Sequence, residues 1–107
     1  MFEYVKMWDK EVIVMLFQMG NIYCTRGIAE LKETIDGFEG FVIDCIYRHS
    51  QGDWGELCAE DKEYNNEAVK NGNRLLSAYV HTPTGTKVWV ITEADRSATT
   101  VLLPDEY

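Results

Sequence analysis

Positive charge, cysteine and long apolar runs are all scarce in this sequence, and each shortage removes a class of function. Only 10 lysines and arginines stand against 18 aspartates and glutamates, for a net charge of −8. Phosphate binding needs a basic footprint, so the surface as a whole is unsuited to free DNA or RNA. It suits a basic protein instead, or a basic groove that ordinarily holds nucleic acid. The longest apolar run, Val12 to Phe17, has six residues, whereas a membrane-spanning helix needs about 20. No membrane partner is expected. Glu3, Asp9 and Glu11 lie before that run, and no small-residue cleavage site follows it, which reads against a secretory leader. Cys24, Cys45 and Cys58 are an odd and sparse set. They argue against a disulfide framework and for a reducing compartment, so a cytoplasmic location is expected. There is no C-x-x-C pair, glycine-rich phosphate loop, zinc-protease helix or nucleophile elbow. Neither a cofactor nor a metal is expected.

What is present describes a small globular domain. A chain of 107 residues fits one domain, residues 1–107. Hydrophobic residues make up 46% and charged residues 26%, a mixture that can fill one modest core without staples. The first ten residues carry no strong pattern. Val12 to Phe17 reads as a strand or as the end of a short helix, because periodicity does not separate the two in so short a run. Gly20-Asn21 signals a turn, Ile22 to Cys24 a short strand, and Thr25 a cap for a helix over about 26–34.

Phe38, Phe41, Val42, Cys45 and Ile46 recur with helical spacing, which predicts a helix over about 38–50 with one buried stripe. Gly52 ends it. A further helix is predicted over about 57–71, with Leu57, Tyr64 and Ala68 inward and Gly72 as its stop. Beyond it the pattern alternates. Strands are predicted at about 74–81, 87–92 and 99–103, with a loop at Thr82 to Thr86 that places Gly85 at positive φ. Three sequential strands at this spacing predict a C-terminal three-stranded antiparallel meander, with the helices packed on it and an optional extra N-terminal strand. The expected class is α+β.

The strings His49-x-x-Gly52-Asp53-Trp54-Gly55 and Ile91-Thr92-Glu93-Ala94-Asp95-Arg96-Ser97 resemble a family of small bacterial proteins often labelled "plasmid-related protein". Such proteins are sometimes mislabelled as subunits of type I restriction enzymes. The resemblance runs from about Phe17 to Tyr107 and leaves residues 1–14 as an N-terminal extension. It implies carriage on plasmids, phages and integrative elements. It implies no chemistry, and so transfers no catalytic residue.

Four groups of residues invite a functional reading. Glu56, Glu60, Glu63 and Glu67 are spaced by 4, 3 and 4. On a helix they would stack on one face about 5–6 Å apart, a ladder that imitates a polyanion. A solvated face serving solubility is the plainer reading. Glu93, Asp95 and Arg96, joined by His49, Arg74 and Tyr79, could assemble a proton-transfer and phosphate-holding set like that of small metal-free ribonucleases or toxins. A polar turn in which Asp95 caps backbone N–H groups and Arg96 pairs with a carboxylate explains the same residues. Cys45 and His49 share a helix face, but Cys45 falls in the apolar stripe, which reads as structural rather than as a metal ligand. Trp54 reads as a plug at the corner between two helices, or, if exposed, as an anchor for a partner. Together these give an acidic, non-enzymatic inhibitor of a host defence nuclease, of antirestriction or anti-CRISPR type, as the expected function. A small metal-free ribonuclease-like or toxin-like enzyme is the alternative.

Overall fold

The structure, a computed structural model, describes the backbone of residues 4–8 and 11–107 and the side chains of residues 15–107. Residues 1–3 and 9–10, inside the stretch read as an N-terminal extension, lie outside the described residues. Strands β1 (Tyr4–Trp8) and β2 (Glu11–Met15) pair antiparallel as a sheet of their own. The run from Val12 therefore begins as a strand, and beyond it Met15, Phe17 and Met19 alternate into the core.

Strand β3 (Asn21–Cys24) is followed by α1 (Arg26–Thr34), α2 (Phe38–Ser50) and α3 (Ala59–Asn71). The Thr25 side chain accepts a hydrogen bond from the Ile28 N–H and so caps α1. Helix α2 buries Phe38, Val42, Cys45, Ile46 and His49, the stripe its spacing predicts extended by one turn. Helix α3 departs from expectation. Its buried residues are Asn65 and Ala68, whereas Tyr64 is 57% exposed.

Strands β4 (Leu75–His81), β5 (Thr86–Thr92) and β6 (Ala98–Leu102) run antiparallel in sequence. The expected three-stranded antiparallel meander is nevertheless incorrect as the sheet. The sheet has four strands in the order β3-β6-β5-β4, and β3 lies parallel to β6. The parallel pair is made by the Asn21 N–H donating to the Ser97 carbonyl and the Thr25 N–H donating to the Val101 carbonyl. The regular elements between β3 and β4 are all helices. The chain therefore leaves one edge of the sheet, crosses through the helices, and re-enters at the opposite edge.

Leu75, Tyr79, Val88, Val90 and Val101 line the inner face of the sheet, against Ile28, Phe38, Val42 and Cys45 of α1 and α2. The chain end folds over the other face. Tyr107 packs its ring 5.8 Å from that of Trp89. The Glu106 carboxylate accepts bonds from the Thr25 hydroxyl and from the N–H groups of Gly27 and Leu103, which places a negative charge at the N-terminus of α1.

The β4 edge is covered without another strand. The Asn65 amide donates to the Leu76 carbonyl at 2.8 Å and accepts from the Leu76 N–H at 3.4 Å, standing in for a peptide group. Next to it, the Ala78 N–H donates to the Trp54 carbonyl and the Glu56 N–H to the Ala78 carbonyl. This explains why Asn65, rather than an apolar residue, faces inward. Asn65→Ala is expected to cost about 2 kcal/mol, since it leaves two part-buried backbone groups without their partner. Urea unfolding would measure this, and a variant within about 0.5 kcal/mol of the parent would contradict the assignment.

Candidate functional site

Glu60, Glu63 and Glu67 project from α3. At 100° per residue they fall within an arc of about 60°. All three are exposed, as is Glu56. Glu56 stands off the helix, because residues 54–56 are held extended against β4 and α3 begins at Ala59. The ladder is thus three carboxylates on the helix with a fourth before it. Three ion pairs occur among the described residues, Arg26–Glu30, Arg48–Asp53 and Arg74–Glu93, and none uses these glutamates. Glu60, together with Asp61, lies in the first turn, where the helix dipole favours a carboxylate. That account does not extend to Glu63 and Glu67. Lys62 points to the opposite flank, and Lys70 borders the face in the last turn.

The residues of the alternative catalytic set are scattered among separate structural tasks. Arg96 is a clamp. Its guanidinium donates to the carbonyls of Asn73, Glu93 and Ala94 and, at 3.0 Å, to Ala68, so it fastens the C-terminal end of α3 to the β5–β6 turn. These four acceptors are main-chain carbonyls of described residues. The Asp95 carboxylate accepts from the Ser97 N–H, which ties the turn, and hydrogen bonding to the Ser97 side chain, then to its N–H, lowers its pKa. The Tyr79 hydroxyl is buried and donates to the Asp53 carbonyl, and burial pushes its pKa up. Arg74 and Glu93 do come together, with Nε 4.0 Å from the carboxylate. They do so on the side of the sheet where Tyr107 lies.

His49 is fully buried and has a different role. Its Nδ1 lies 2.5 Å from the Ser77 hydroxyl and its Nε2 2.9 Å from that of Thr92. Thr92 continues to Thr99, and Thr99 donates to the Met19 carbonyl. A carbonyl only accepts, and that fixes the donors as far as the His49 ring. Thr99 donates to Met19, Thr92 to Thr99 and His49 Nε2–H to Thr92; with the ring neutral, Nδ1 then accepts from Ser77. The imidazole is neutral. Burial, with Arg96 adding to the effect, lowers its pKa to about 3. Such a group neither reaches a substrate nor takes up a proton near neutral pH. Its ring is packed edge-on against Phe17 and Trp54.

Cys45 is buried on the same helix, and its thiol is pushed up to about 12, chiefly by burial. It is inert as a nucleophile at neutral pH. Cys58 is exposed and immediately precedes α3. Among the described residues no group of three or more His, Cys, Asp or Glu side chains is placed to hold a metal ion. Trp54 is only 3% exposed and donates its indole N–H to Asn66, so it is the corner plug rather than a surface anchor. Asp53 accepts from the Gly55 N–H within that corner and pairs with Arg48.

The pattern reading missed the hydrogen-bond chain that His49 joins. Ser77, Thr92 and Thr99 stand at inward positions of their strands. That alternation was the available signal, and three hydroxyls facing inward ask for a polar partner. Among the described residues no helix is long and apolar enough to cross a membrane. Comparison with protein families, curated proteins and solved structures finds no match to the chain.

Proposed function

We propose that the protein is a non-enzymatic accessory of a mobile genetic element whose acidic α3 face occupies the basic groove of a host defence nuclease. The observation that carries this reading is a contrast. Glu56, Glu60, Glu63 and Glu67 stand exposed and outside every ion pair of the described residues, while the candidate reactive groups are committed elsewhere. Repulsion between like charges at i,i+4 costs the helix a few tenths of a kcal/mol per pair, so the ladder is not explained by local stability. The net charge of −8 and the resemblance to plasmid-related proteins support the same reading.

Immobilised protein is expected to retain a restriction or CRISPR nuclease at low salt and to release it at high salt. The nuclease's own nucleic acid should compete for it. Joint substitution Glu60→Lys, Glu63→Lys and Glu67→Lys is expected to weaken retention at least about tenfold. Retention that survives this charge reversal, or that nucleic acid does not displace, would sink the proposal. The ribonuclease-like alternative gains nothing from a buried, neutral His49 and an Arg96 spent on carbonyls.

A further inference from the structure

A groove with a volume of about 300 Å³ lies where α3 passes the edge of β4, lined by Leu57, Asp61, Tyr64, Asn65, Arg74 and Leu76. That size, at the lower limit of ligand pockets, suits one long side chain better than a cofactor. Leu57 and Leu76 give it apolar walls. Asp61 presents an exposed carboxylate outside every ion pair of the described residues. Tyr64 presents a ring that is 57% exposed, one of the large apolar groups the fold leaves outside.

The two polar residues that could confuse this site are already engaged. Asn65 spends its amide on the β4 edge. Arg74 donates to the Tyr107 hydroxyl, lies 4.9 Å above that ring and faces Glu93. Its Nε is buried, so it is not available to an incoming anion. Helical geometry places Tyr64 between Asp61 on one side and Glu60 and Glu67 on the other. The groove therefore opens onto the acidic face.

Resting on the function proposed above, we propose that this groove seats a single arginine side chain of the basic partner. The methylene stem lies between Leu57 and Leu76, the guanidinium lies over the Tyr64 ring, and Asp61 is its counter-charge. The groove is then the anchoring pocket of the interface, and the glutamate ladder steers the partner toward it.

The test is an NMR titration of the whole chain with the peptide acetyl-Gly-Arg-Gly-amide, beside acetyl-Gly-Glu-Gly-amide. Saturable shifts are expected at Leu57, Tyr64 and Leu76 with the arginine peptide alone. Asp61→Asn and Tyr64→Ala are each expected to weaken the arginine peptide at least about tenfold. Glu63→Gln is expected to change its affinity less than twofold. Saturable binding of the glutamate peptide would overturn the proposal. So would arginine-peptide shifts that never saturate, or that persist in both groove variants. The two readings fail separately. A nuclease released by the glutamate reversal but held equally by Asp61→Asn removes the groove and leaves the function. A groove that binds the arginine peptide in a protein that retains no nuclease does the reverse.

Discussion

Acidification from pH 7 toward pH 3 is expected to remove on the order of 4–5 kcal/mol of stability through His49 alone. The folded chain holds this imidazole neutral, with its pKa lowered from 6.5 to about 3 by burial. The unfolded chain binds a proton below pH 6.5, and the folded chain does not. The contribution is therefore complete above 6.5, declines by up to about 1.4 kcal/mol per pH unit below it, and is exhausted near 3. Domains of this size have about 5–15 kcal/mol in total, so this one residue decides much of the acid limit. Asp53, bonded to Arg48, and Glu106, bonded to Thr25, also lose stabilisation in acid, because their carboxyls are held below the usual range. Their losses fall lower, within the carboxylate range. Urea unfolding at intervals between pH 7 and 4 measures the slope. His49→Gln keeps a donor and an acceptor but does not titrate. It is expected to flatten the upper part of the curve by nearly one proton. An unchanged slope in that variant would remove His49 from the account.

The second large effect is expected at Gly55. Its φ is +75°, and an added Cβ would fall 1.9 Å from the Ala78 carbonyl oxygen and 2.7 Å from the Tyr79 ring. Gly55→Ala must push residues 54–56 off β4. It then forfeits the hydrogen bonds between Trp54, Ala78 and Glu56 that close that edge. The expected cost is about 3 kcal/mol or more, with a melting temperature at least about 10 °C lower. Gly40 is the control. It lies on α2 with nothing within 4 Å of an added Cβ. Gly40→Ala should stabilise by about 0.5–1 kcal/mol, because alanine suits a helix interior better than glycine. Equal effects at the two glycines would show that close approach to β4 is not what Gly55 provides.

Helix α2 was legible because its apolar residues recur with one period along its whole length. Strands β4 and β5 were legible from alternation. Strand β3 was recognisable as a strand but not as part of the main sheet. Its four residues are mostly exposed and carry no inward stripe. Its partner, Ala98 to Val101, lies far along the chain. Local pattern holds no information about such a parallel pairing. Helix α3 misled for a chemical reason. Tyr64 has the bulk of a core residue and Asn65 does not, yet the inward position needed an amide to serve a strand edge. The acidic residues were legible as a charged face, but that Glu56 leaves it depended on the corner at Gly55. His49 was visible as a residue and invisible as a role, since the hydrogen-bond chain it joins runs over three strands.

The two margins of the main sheet are unequal, and this limits how copies of the chain can join. Asn65 and residues 54–56 occupy the β4 margin at Leu76 and Ala78. Among the described residues no strand pairs with the far side of β3. Within the main sheet, strand-to-strand joining then favours the β3 margin, a docking line four residues long. Two copies meeting through it would consume this line in both main sheets and close as a dimer there.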